Sequence, residues 1–585
     1  MTIVNLHSYN RRGTIPLLSL FMIPALIILL LLSSISCTPP SGHETISEGS
    51  GEFSYTIQKR PFKGKTLPVY YHIPKGDIRD MKVLFVIPGM GRGGATYRDA
   101  WVESSDRWGF AVLTPQCTED NFPEEVYQQG NVLSAEGKIN PSEDMIYGML
   151  GEIFHFYRDN TGSLVKRYNL YGHSAGGQFS HRFATFCPTD EVDNILPANA
   201  GWYTFPTDTI SYPYGLGDAE KVLGPLRKRL YGRKVTLLLG EADTLRTSNL
   251  RMTEEADAQG LNRLSRGKAY FEFCRKDAQT LGVPFNWRLR FVSGAGHNNK
   301  LMAPTAAEVL AMDGPRKGDF RRKGSFSTFF TPGNRFKENP VRVNCFVPDN
   351  FNPRTAKVLM VMHGGHRETL TAIKEWIPFA QKGNILLLGV DFDAERYPNR
   401  IFLNGGLLDD EGGFVPESES LYPIIDEVFD EARRQLHLRA KSYDIFGHSA
   451  GGQMAHRFLL FHKSDKVGKT VASNAGWYTF PSDTIPFPYG IKECASLYGI
   501  DTDEYFAKDM TILLGQADTV VNFGLRMNEK TLWQGSRRLS RGEHFYHFAK
   551  ENASGTFAWS LEELPGVGHD EVATVKAAAR ILYKL

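Results

Sequence analysis

The sequence predicts an α/β protein of two tandem domains, each a mostly parallel β-sheet with helices on both faces. Its 585 residues exceed the size at which a single hydrophobic core usually stops growing. The heptad Gly-His-Ser-Ala-Gly-Gly-Gln occurs at 172–178 and again at 447–453, 275 residues later. Within each copy, short β-rich apolar runs alternate with longer helical patterns, which is typical of parallel sheets. The chain is therefore a duplication in which each copy is long enough to bury its own core.

The composition narrows the class of protein. Hydrophobic residues make up 42% and charged residues 23% of the chain, which excludes disordered, collagen-like and multi-span membrane proteins. The 67 basic and 65 acidic residues leave a net charge of +2, so we expect no nucleic-acid partner. The six cysteines show no C-x-x-C spacing and are too few for a disulfide scaffold, so we expect neither zinc nor thiol redox chemistry.

The first 36 residues are predicted to be a signal peptide of the lipoprotein type. Arg11 and Arg12 precede an apolar run over 15–32, which is the order found in export signals. Ser34-Ile35-Ser36-Cys37 then resembles the bacterial lipoprotein box, which implies that Cys37 is lipidated and anchors the chain to a membrane of the bacterial cell envelope. The alternatives are a secreted form cleaved by an ordinary signal peptidase and an uncleaved membrane anchor. All three place the rest of the chain outside the cytoplasm.

Composition and the repeat also set the expected domain boundaries. Residues 37–50, rich in Pro, Ser, Gly and Glu, are predicted to be a flexible tether. The two domains are predicted at 51–312 and 324–585. An exposed linker is predicted between them at 313–323, because this segment contains glycine, proline and several basic residues.

Each copy predicts the same series of strands. Short apolar runs predict strands at 83–87 and 358–362, at 169–171 and 444–446, at 235–239 and 511–514, and at 287–292 and 559–564. Helices are predicted at 178–186 and 453–461, directly after the repeated heptads. The third pair of strands leads into Ala-Asp-Thr turns, and the fourth pair leads into Gly-x-Gly-His turns. The repeated polar motifs therefore fall at strand ends in both copies.

Each repeated heptad contains the pattern G-x-S-x-G. Glycines on both sides of the serine permit a sharp turn from strand to helix, which raises the serine hydroxyl above the sheet. An aspartate and then a histidine follow at later strand ends, which gives the sets Ser174, Asp243, His297 and Ser449, Asp518, His569. Glu241 is a rival acid in the first copy, but its counterpart is Gln516, which favours the aspartates.

With these residues the sequence resembles the α/β-hydrolase superfamily, and most closely the secreted esterases similar to polyhydroxybutyrate depolymerases and feruloyl esterases. The resemblance covers both copies. It implies two sets of roles: nucleophiles Ser174 and Ser449, general bases His297 and His569, and orienting acids Asp243 and Asp518. The chemistry explains the residue types, because a serine hydroxyl is a poor nucleophile until a histidine takes its proton, and a carboxylate fixes the histidine tautomer.

Each site also needs two N–H donors for the oxyanion that forms on the substrate, worth roughly 3 kcal/mol each. The first donor is expected at Ala175 or Ala450, directly after the serine. The second is expected in the turn after the early strand, at Met90 and at Gly365. The second copy has the usual His-Gly form at this turn, whereas the first copy has Pro88 in place of the histidine. This substitution leaves open that the first domain binds substrate without cleaving it.

Other patterns at the same sheet edge are more ambiguous. Candidates for a substrate-binding wall against a sugar or an aromatic ester, with core packing as the alternative, are Trp202, Tyr203, Trp477 and Tyr478. Gly89, Gly91 and Gly94 satisfy the dinucleotide pattern G-x-G-x-x-G, but the second copy lacks it. His363 and His366 have metal-like spacing without further ligands. We expect neither a cofactor nor a metal.

The sequence thus predicts an exported, serine-dependent carboxylic ester hydrolase with two triads, acting through an acyl-enzyme. The expected substrates are acylated or feruloylated glycans or polyester-like oligomers. One alternative is that one domain, the first because of Pro88, is a non-catalytic substrate-binding module. Another is that the same triads serve a peptidase or an acyltransferase.

Overall fold

A computed structural model describes residues 46–314, 316–520 and 525–585. The predicted signal peptide at 1–36, Cys37 and the first part of the predicted tether, 37–45, lie outside these residues. Within the described ranges, no helix is long and apolar enough to cross a lipid bilayer.

The first half of the described chain forms an eight-stranded sheet. Its strands are β1 (Gly49–Thr56), β2 (Thr66–Ile73), β3 (Lys82–Ile87), β4 (Phe110–Pro115), β5 (Tyr168–His173), β6 (Val192–Ala198), β7 (Lys234–Gly240) and β8 (Trp287–Val292). They lie in the order β1-β2-β4-β3-β5-β6-β7-β8. The β1–β2 and β2–β4 pairs are antiparallel, and every later pair is parallel.

Helices cover both faces of this sheet. They are α1 (Gly94–Asp99), α2 (Val102–Trp108), α3 (Glu124–Tyr127), α4 (Gly148–Thr161), α5 (Ala175–Phe186), α6 (Ala219–Leu223), α7 (Leu226–Gly232), α8 (Glu254–Ala258), α9 (Arg263–Leu281) and α10 (Asn299–Met312). On β3, Val83, Phe85 and Ile87 join one buried cluster, and Leu84 and Val86 join another. Alternate side chains of a strand point to opposite faces, so the apolar run at β3 supplies a core on each side of the sheet.

The second half repeats the arrangement. Its strands are β9 (Gly324–Phe330), β10 (Val341–Val347), β11 (Lys357–Met362), β12 (Ile385–Asp391), β13 (Tyr443–His448), β14 (Val467–Ser473), β15 (Met510–Gly515) and β16 (Ser560–Leu564). Read from β9, their order is β9-β10-β12-β11-β13-β14-β15-β16, which is the order of the first sheet. The helices are α11 (Leu370–Gly383), α12 (Asn399–Phe402), α13 (Tyr422–Leu436), α14 (Ala450–Phe461), α15 (Thr502–Phe506), α16 (Glu529–Gln534), α17 (Arg538–Asn552) and α18 (Glu571–Tyr583).

The predicted fold class is confirmed, because two mostly parallel sheets with helices on both faces follow each other along the chain. The predicted strands fall on the pairs β3 and β11, β5 and β13, β7 and β15, and β8 and β16. The predicted helices after the heptads are α5 and α14, and every residue of each is buried. These two helices are therefore central parts of their domains.

Two of the predicted boundaries are wrong. The predicted tether at 37–50 ends too late, because Ile46 is buried and β1 already begins at Gly49. The predicted exposed linker at 313–323 is partly packed, because Phe320 is fully buried in the core of the second half. Arg322 also donates to the carbonyl oxygens of Asp106 and Arg107 in the first half. An apolar ring buried against one half and a guanidinium bound to the other hold this segment in place.

Candidate active sites

Each candidate serine lies in a strained turn between a strand and a buried helix. Ser174 joins β5 to α5 with φ 59° and ψ −114°, and Ser449 joins β13 to α14 with φ 58° and ψ −116°. Non-glycine residues rarely adopt such angles, and they cost of order 1–3 kcal/mol unless the surroundings enforce them. The flanking glycines permit the turn: a Cβ on Gly172 would lie 2.0 Å from the carbonyl oxygen of Gly176, and a Cβ on Gly176 would lie 2.0 Å from that of Ile87.

In the first half, the structure brings Ser174, His297 and Asp243 together, a set we call the first trio. His297 Nε2 lies 2.9 Å from Ser174 Oγ, and His297 Nδ1 lies 2.8 Å from Asp243 Oδ2. A carboxylate can only accept here, so Nδ1 carries the proton and Nε2 is free to accept from the serine hydroxyl. Asp243 is 2% exposed. Asp243, and not the rival Glu241, is the acid that positions the His297 ring.

In the second half, Ser449, His569 and Asp518 form a second trio with the same geometry. His569 Nε2 lies 3.1 Å from Ser449 Oγ, and His569 Nδ1 lies 2.7 Å from Asp518 Oδ2. Burial opposes ionisation of Asp518, but hydrogen bonds with His569 and Asn474 outweigh it and hold the pKa of the carboxyl below its usual value. The second carboxylate therefore stays ionised at neutral pH.

An arginine lies beside each aspartate, and an asparagine also binds the aspartate of the second half. The guanidinium of Arg263 lies 3.6 Å from Asp243, and that of Arg538 lies 3.5 Å from Asp518. Asn474 Nδ2 donates to Asp518 Oδ2 at 2.6 Å, whereas Asn199 Nδ2 donates to the carbonyl oxygen of Gly296 in the histidine turn. The sequence motifs did not mark the asparagines, although both open the repeated segment Asn-Ala-Gly-Trp-Tyr-Thr-Phe-Pro. The presence of that segment in both halves was the sequence signal that could have identified these asparagines.

The expected oxyanion donors lie beside the serines. Gly89, the residue before Met90, approaches so closely that a Cβ on it would be 3.4 Å from Ser174 Cβ. In the described part of the chain, the N–H groups of Met90, Ala175, Gly365 and Ala450 donate to no backbone acceptor. Ala175 and Ala450 are buried, whereas Met90 and Gly365 are exposed. Because none of the four N–H groups is taken up by a backbone acceptor of the described residues, all four are available to a bound oxygen.

The two halves hold the oxyanion turn with different side chains. In the first, the Tyr127 hydroxyl donates to the Pro88 carbonyl oxygen at 2.6 Å, and the Arg92 guanidinium lies 3.7 Å from the centre of the Tyr127 ring. In the second, the counterpart of Tyr127 is Phe402, which has no hydroxyl, and His363 stacks on it at 4.4 Å. In the first half, the turn at Pro88 is therefore held by a hydrogen bond from Tyr127 that the second half lacks.

A second, buried histidine packs against each site histidine. The ring centres of His173 and His297 lie 4.8 Å apart, and those of His448 and His569 lie 4.6 Å apart. Burial first, and then the nearby His297, hold the pKa of His173 well below its usual range; burial and His569 lower the pKa of His448 to about 3. Both inner rings are neutral at physiological pH, so they support the site histidines without competing for the proton.

The expected aromatic wall requires a correction. Tyr203 and Tyr478 are fully buried, and they stack on Tyr270 and Phe545 at 4.5 and 4.4 Å. These two rings belong to the core and cannot meet a substrate.

The two tryptophans differ from the tyrosines, but they too are covered. Trp202 and Trp477 are only 1% and 2% exposed, because guanidinium groups cover their faces. A cavity of about 360 Å³ opens beside Ser174, and its lining includes Met90, Trp202, Arg251 and Arg263. Arginine side chains, not open aromatic faces, therefore form much of the wall of this cavity.

Metal and thiol chemistry find no support in the residues described. Among them, no group of three or more His, Cys, Asp and Glu side chains could hold a metal ion. The cysteines at 117, 187, 274, 345 and 494 are free and buried. Burial raises the pKa of Cys117 to about 12, so its thiol is not a nucleophile at neutral pH.

Several solved structures are similar to parts of this chain. Poly(aspartic acid) hydrolase-1 from Sphingomonas sp. KT-1 shares 36% identity over 45% of this chain and 99% of its own, with a TM-score of 0.43. A poly(3-hydroxybutyrate) depolymerase from Bordetella parapertussis shares 29% identity over 45% of this chain and 89% of its own, also with a TM-score of 0.43. A siderophore hydrolase from Aspergillus nidulans shares 14% identity over 45% of this chain and 94% of its own, with a TM-score of 0.31. No family model matches the chain, and no curated protein matches it.

The fold and the sites agree on one superfamily. Both halves place a strained serine between a central parallel strand and a buried helix. Both then supply an aspartate after the next strand but one and a histidine after the last strand, within hydrogen-bond distance of each other. A serine turn of this kind, followed by an aspartate and then a histidine along the chain, is typical of α/β-hydrolases. The chain belongs to the α/β-hydrolase superfamily, with two hydrolase-type domains in tandem.

Proposed function

We propose that the protein is an exported serine carboxylester hydrolase with one active site in each half. The repeated hydrogen-bond geometry supports this most directly, because serine to histidine distances of 2.9 and 3.1 Å are within the reach that a general base needs. The histidine to aspartate distances of 2.8 and 2.7 Å hold each ring in the tautomer that the reaction requires. Both trios are complete, which favours two active sites over one site and one binding module.

In the proposed acylation step, His297 Nε2 takes the proton from Ser174 Oγ while that oxygen attacks the ester carbonyl carbon. The carbonyl oxygen gains a negative charge, and the N–H groups of Met90 and Ala175 stabilise it. The bond between the carbonyl carbon and the alcohol oxygen then breaks, and His297 returns its proton to the leaving alcohol. Ser174 is left as an acyl ester.

Water completes the cycle in the second step. His297 takes a proton from a water molecule as the water attacks the acyl carbon, and the same N–H groups stabilise the second oxyanion. The bond to Ser174 Oγ breaks, Oγ recovers the proton from His297, and the carboxylic acid leaves. The same steps apply to Ser449 and His569, with Gly365 and Ala450 as donors.

The proposed substrates are acylated or feruloylated glycans or polyester-like oligomers. A cavity of about 360 Å³ beside Ser174 is near the lower end of the range for ligand sites. It suits one acyl or aromatic group of an oligomer better than a long stretch of polymer. Such substrates occur outside the cytoplasm, which agrees with the proposed export and the proposed lipid anchor at Cys37, or with secretion after ordinary cleavage.

Serine-to-alanine variants test the proposal. We expect Ser174→Ala and Ser449→Ala each to leave one serine that reacts with a fluorophosphonate probe and hydrolyses 4-nitrophenyl butyrate. The double variant should lose about 10⁶-fold in kcat and take up no probe, since both nucleophiles are gone. The measurements are the rate of 4-nitrophenol release and the mass of labelled peptides.

Each other outcome selects another function. No labelling of either serine in the wild-type protein would contradict the hydrolase proposal. Labelling of Ser449 alone, with Ser174→Ala changing only substrate affinity, would establish the first domain as a binding module. Faster cleavage of amides than of matched esters, or preferred transfer to an added alcohol over water, would make the protein a peptidase or an acyltransferase.

A further inference from the structure

Both halves sandwich a tryptophan between two arginines next to the candidate serine. The guanidinium carbons of Arg182 and Arg251 lie 4.1 and 4.7 Å from the centre of the Trp202 ring. Those of Arg457 and Arg526 lie 4.5 and 5.0 Å from the centre of the Trp477 ring. In the first half, Trp202 and Arg251 line the cavity at Ser174. Arg526 therefore holds the corresponding place in the second site.

In the first half, carboxylates pair with Arg251, which lines the cavity, and with Arg266 and Arg246. Arg251 Nη2 lies 3.0 Å from Glu124 Oε1, and Glu124 lines the same cavity. Arg266 Nη2 lies 2.8 Å from Asp257 Oδ1, and Arg246 Nη2 lies 2.9 Å from Asp257 Oδ2. The acids at α3 and α8 are thus already paired with Arg251, Arg266 and Arg246.

In the second half, both of those acids are replaced. The counterpart of Glu124 is Asn399 at the start of α12, and the counterpart of Asp257 is Leu532 in α16. The guanidinium of Arg526 donates to the Tyr489 hydroxyl at 3.2 Å. Within 46–314, 316–520 and 525–585, the arginine forms no ion pair with a carboxylate.

Arg541, the counterpart of Arg266, has likewise exchanged its carboxylate for neutral partners. It donates to the carbonyl oxygens of Gly476 at 2.5 Å and of Arg526 at 2.9 Å. Burial lowers the pKa of Arg541 to about 10, so the group is still charged at neutral pH. Two positive charges that the first half balances are therefore unbalanced beside Trp477.

Three other acids of the second half, Glu368, Glu375 and Glu571, form no ion pair with Arg526 or Arg541 in the described residues. Glu375 and Glu571 belong to α11 and α18, which pack on the sheet face opposite to that of Tyr478 and Phe545. Burial, and then Glu368 and Glu375, raise the pKa of Glu571, which places these three acids close to one another.

We propose that the second active site selects esters that carry a carboxylate, on the acyl or the alcohol side, and that Arg526 binds this group. The first active site, where Glu124 pairs with Arg251, takes neutral esters. The Arg526 guanidinium lies over the Trp477 ring and donates once to Tyr489, and a guanidinium in such a place still has edge donors that fit a carboxylate. This inference rests on the proposed ester hydrolysis and assigns the two sites different substrate classes.

The test compares one neutral and two anionic esters at each site separately. The probes are 4-nitrophenyl butyrate, mono(4-nitrophenyl) glutarate and 3-carboxy-4-nitrophenyl butyrate, and the quantity is the ratio of kcat/KM for each anionic ester to that for the neutral one. In Ser174→Ala protein, where only Ser449 can act, we expect a ratio at least about tenfold higher than in Ser449→Ala protein. The higher ratio should fall as salt is added, because salt screens the attraction.

Matched variants tie the selectivity to these residues. In the Ser174→Ala background, Arg526→Gln should lower the ratio about tenfold, whereas Arg251→Gln in the Ser449→Ala background should change it far less. In the latter background, Glu124→Gln should raise the ratio, because it releases Arg251. The higher ratio expected for Glu124→Gln tests the proposal even if the Arg526→Gln protein does not fold.

The outcomes separate the two proposals. Equal ratios at the two sites, or a ratio that neither Arg526→Gln nor Glu124→Gln changes, would overturn the assignment of charge selectivity and leave ester hydrolysis intact. If the wild-type protein releases neither 4-nitrophenol from the first two esters nor 3-carboxy-4-nitrophenol from the third, the proposed function itself is contradicted.

Discussion

At the scale of single residues, different side chains hold the oxyanion turns of the two halves in place. In the first half, the Tyr127 hydroxyl donates to the Pro88 carbonyl oxygen, while Arg92 covers the Tyr127 ring just as Arg367 covers Phe402 in the second half. In the second, His363 Nε2 accepts from the N–H of Phe392 at 3.2 Å and the ring stacks on Phe402. Proline removes the side chain that usually braces this turn, and the tyrosine hydroxyl supplies a hydrogen bond in its place.

We expect Tyr127→Phe to lower kcat at Ser174 about fivefold, because a buried hydrogen bond contributes about 1 kcal/mol and here it holds the turn that carries Met90. KM should change little, since the tyrosine does not line the cavity. The measurement is hydrolysis of 4-nitrophenyl butyrate in the Ser449→Ala background. Tyr147→Phe is the matched control, because its buried hydroxyl has no hydrogen-bond partner in the described residues. An equal loss in both variants would mean that the hydroxyl of Tyr127 has no special role in positioning.

At the scale of elements, the second half ties α13 to the end of α14 through a buried ionic cluster. His462 follows the last residue of α14, and its ring contacts Glu417 and, at 3.3 Å, Asp426 of α13. Ser464 and Tyr443 also donate to Asp426, at 2.8 and 2.5 Å. The first half has no such cluster, because the corresponding residues are Ser142, Gly151 and Cys187. The two domains therefore differ in how their stability depends on pH.

The pKa shifts fix the direction of that dependence. Burial alone would lower the pKa of His462, but hydrogen bonds with Asp426 and Glu417 outweigh it and raise the pKa above its usual value. Burial would likewise raise the pKa of Asp426, but hydrogen bonds from His462 and Tyr443 lower it to about 2. A histidine whose pKa is raised by folding stabilises the fold fully below its unfolded pKa, and this contribution disappears as the pH rises through the folded pKa.

We expect His462→Cys, which introduces the residue of the first half, to destabilise the second domain most near pH 6 and least near pH 9. The cost near pH 6 should be about 1–3 kcal/mol, because two half-buried carboxylates lose a charged partner. Calorimetric unfolding of the wild-type and variant proteins across this pH range measures the difference. A difference that stays constant with pH, or grows toward pH 9, would contradict the assignment.

At the scale of the whole molecule, the two halves join through residues that the repeat does not share. Trp108 of α2 stacks on Phe329 of β9, with ring centres 5.1 Å apart and planes 8° apart. Arg107 Nε donates to Ser327 Oγ at 2.9 Å. At the positions that correspond to Trp108 and Phe329 in the other half, the sequence has Gly383 and Ser54. This aromatic stack therefore belongs to the junction between the halves and has no equivalent in the repeat.

We expect a double-mutant cycle of Trp108→Ala and Phe329→Ala to show a coupling free energy of about 0.5–1.5 kcal/mol, because stacked aromatic pairs contribute this much beyond the area they bury. The measurement is the free energy of unfolding of the four proteins in denaturant. Hydrolysis at both serines should be retained, since neither ring lies near a trio. Strictly additive effects of the two substitutions would show that the stack does not couple the halves.

Much of this architecture could be predicted from the sequence, because local rules encode it. Apolar runs of five or six residues, such as β3 and β11, specify buried strands, and small residues around Ser174 and Ser449 specify the sharp turn. Because each motif recurs 275 residues later, every inference drawn from one copy could be compared with the other copy. The sequence by itself thus determined the two α/β domains and the order Ser, Asp, His along each of them.

Only the tertiary structure decided what surrounds those residues. The burial of Tyr203 and Tyr478, the guanidinium groups over Trp202 and Trp477, and the packing of Phe320 all depend on residues distant in the sequence. Composition marks an aromatic residue as apolar, but it does not show which side chain covers its face. The second half has Asn399 and Leu532 in place of Glu124 and Asp257. The effect of these replacements can be interpreted only because the structure shows Arg526 and Arg541 in contact. Contacts of this kind are made by folding, and they set the charge and the shape of each site.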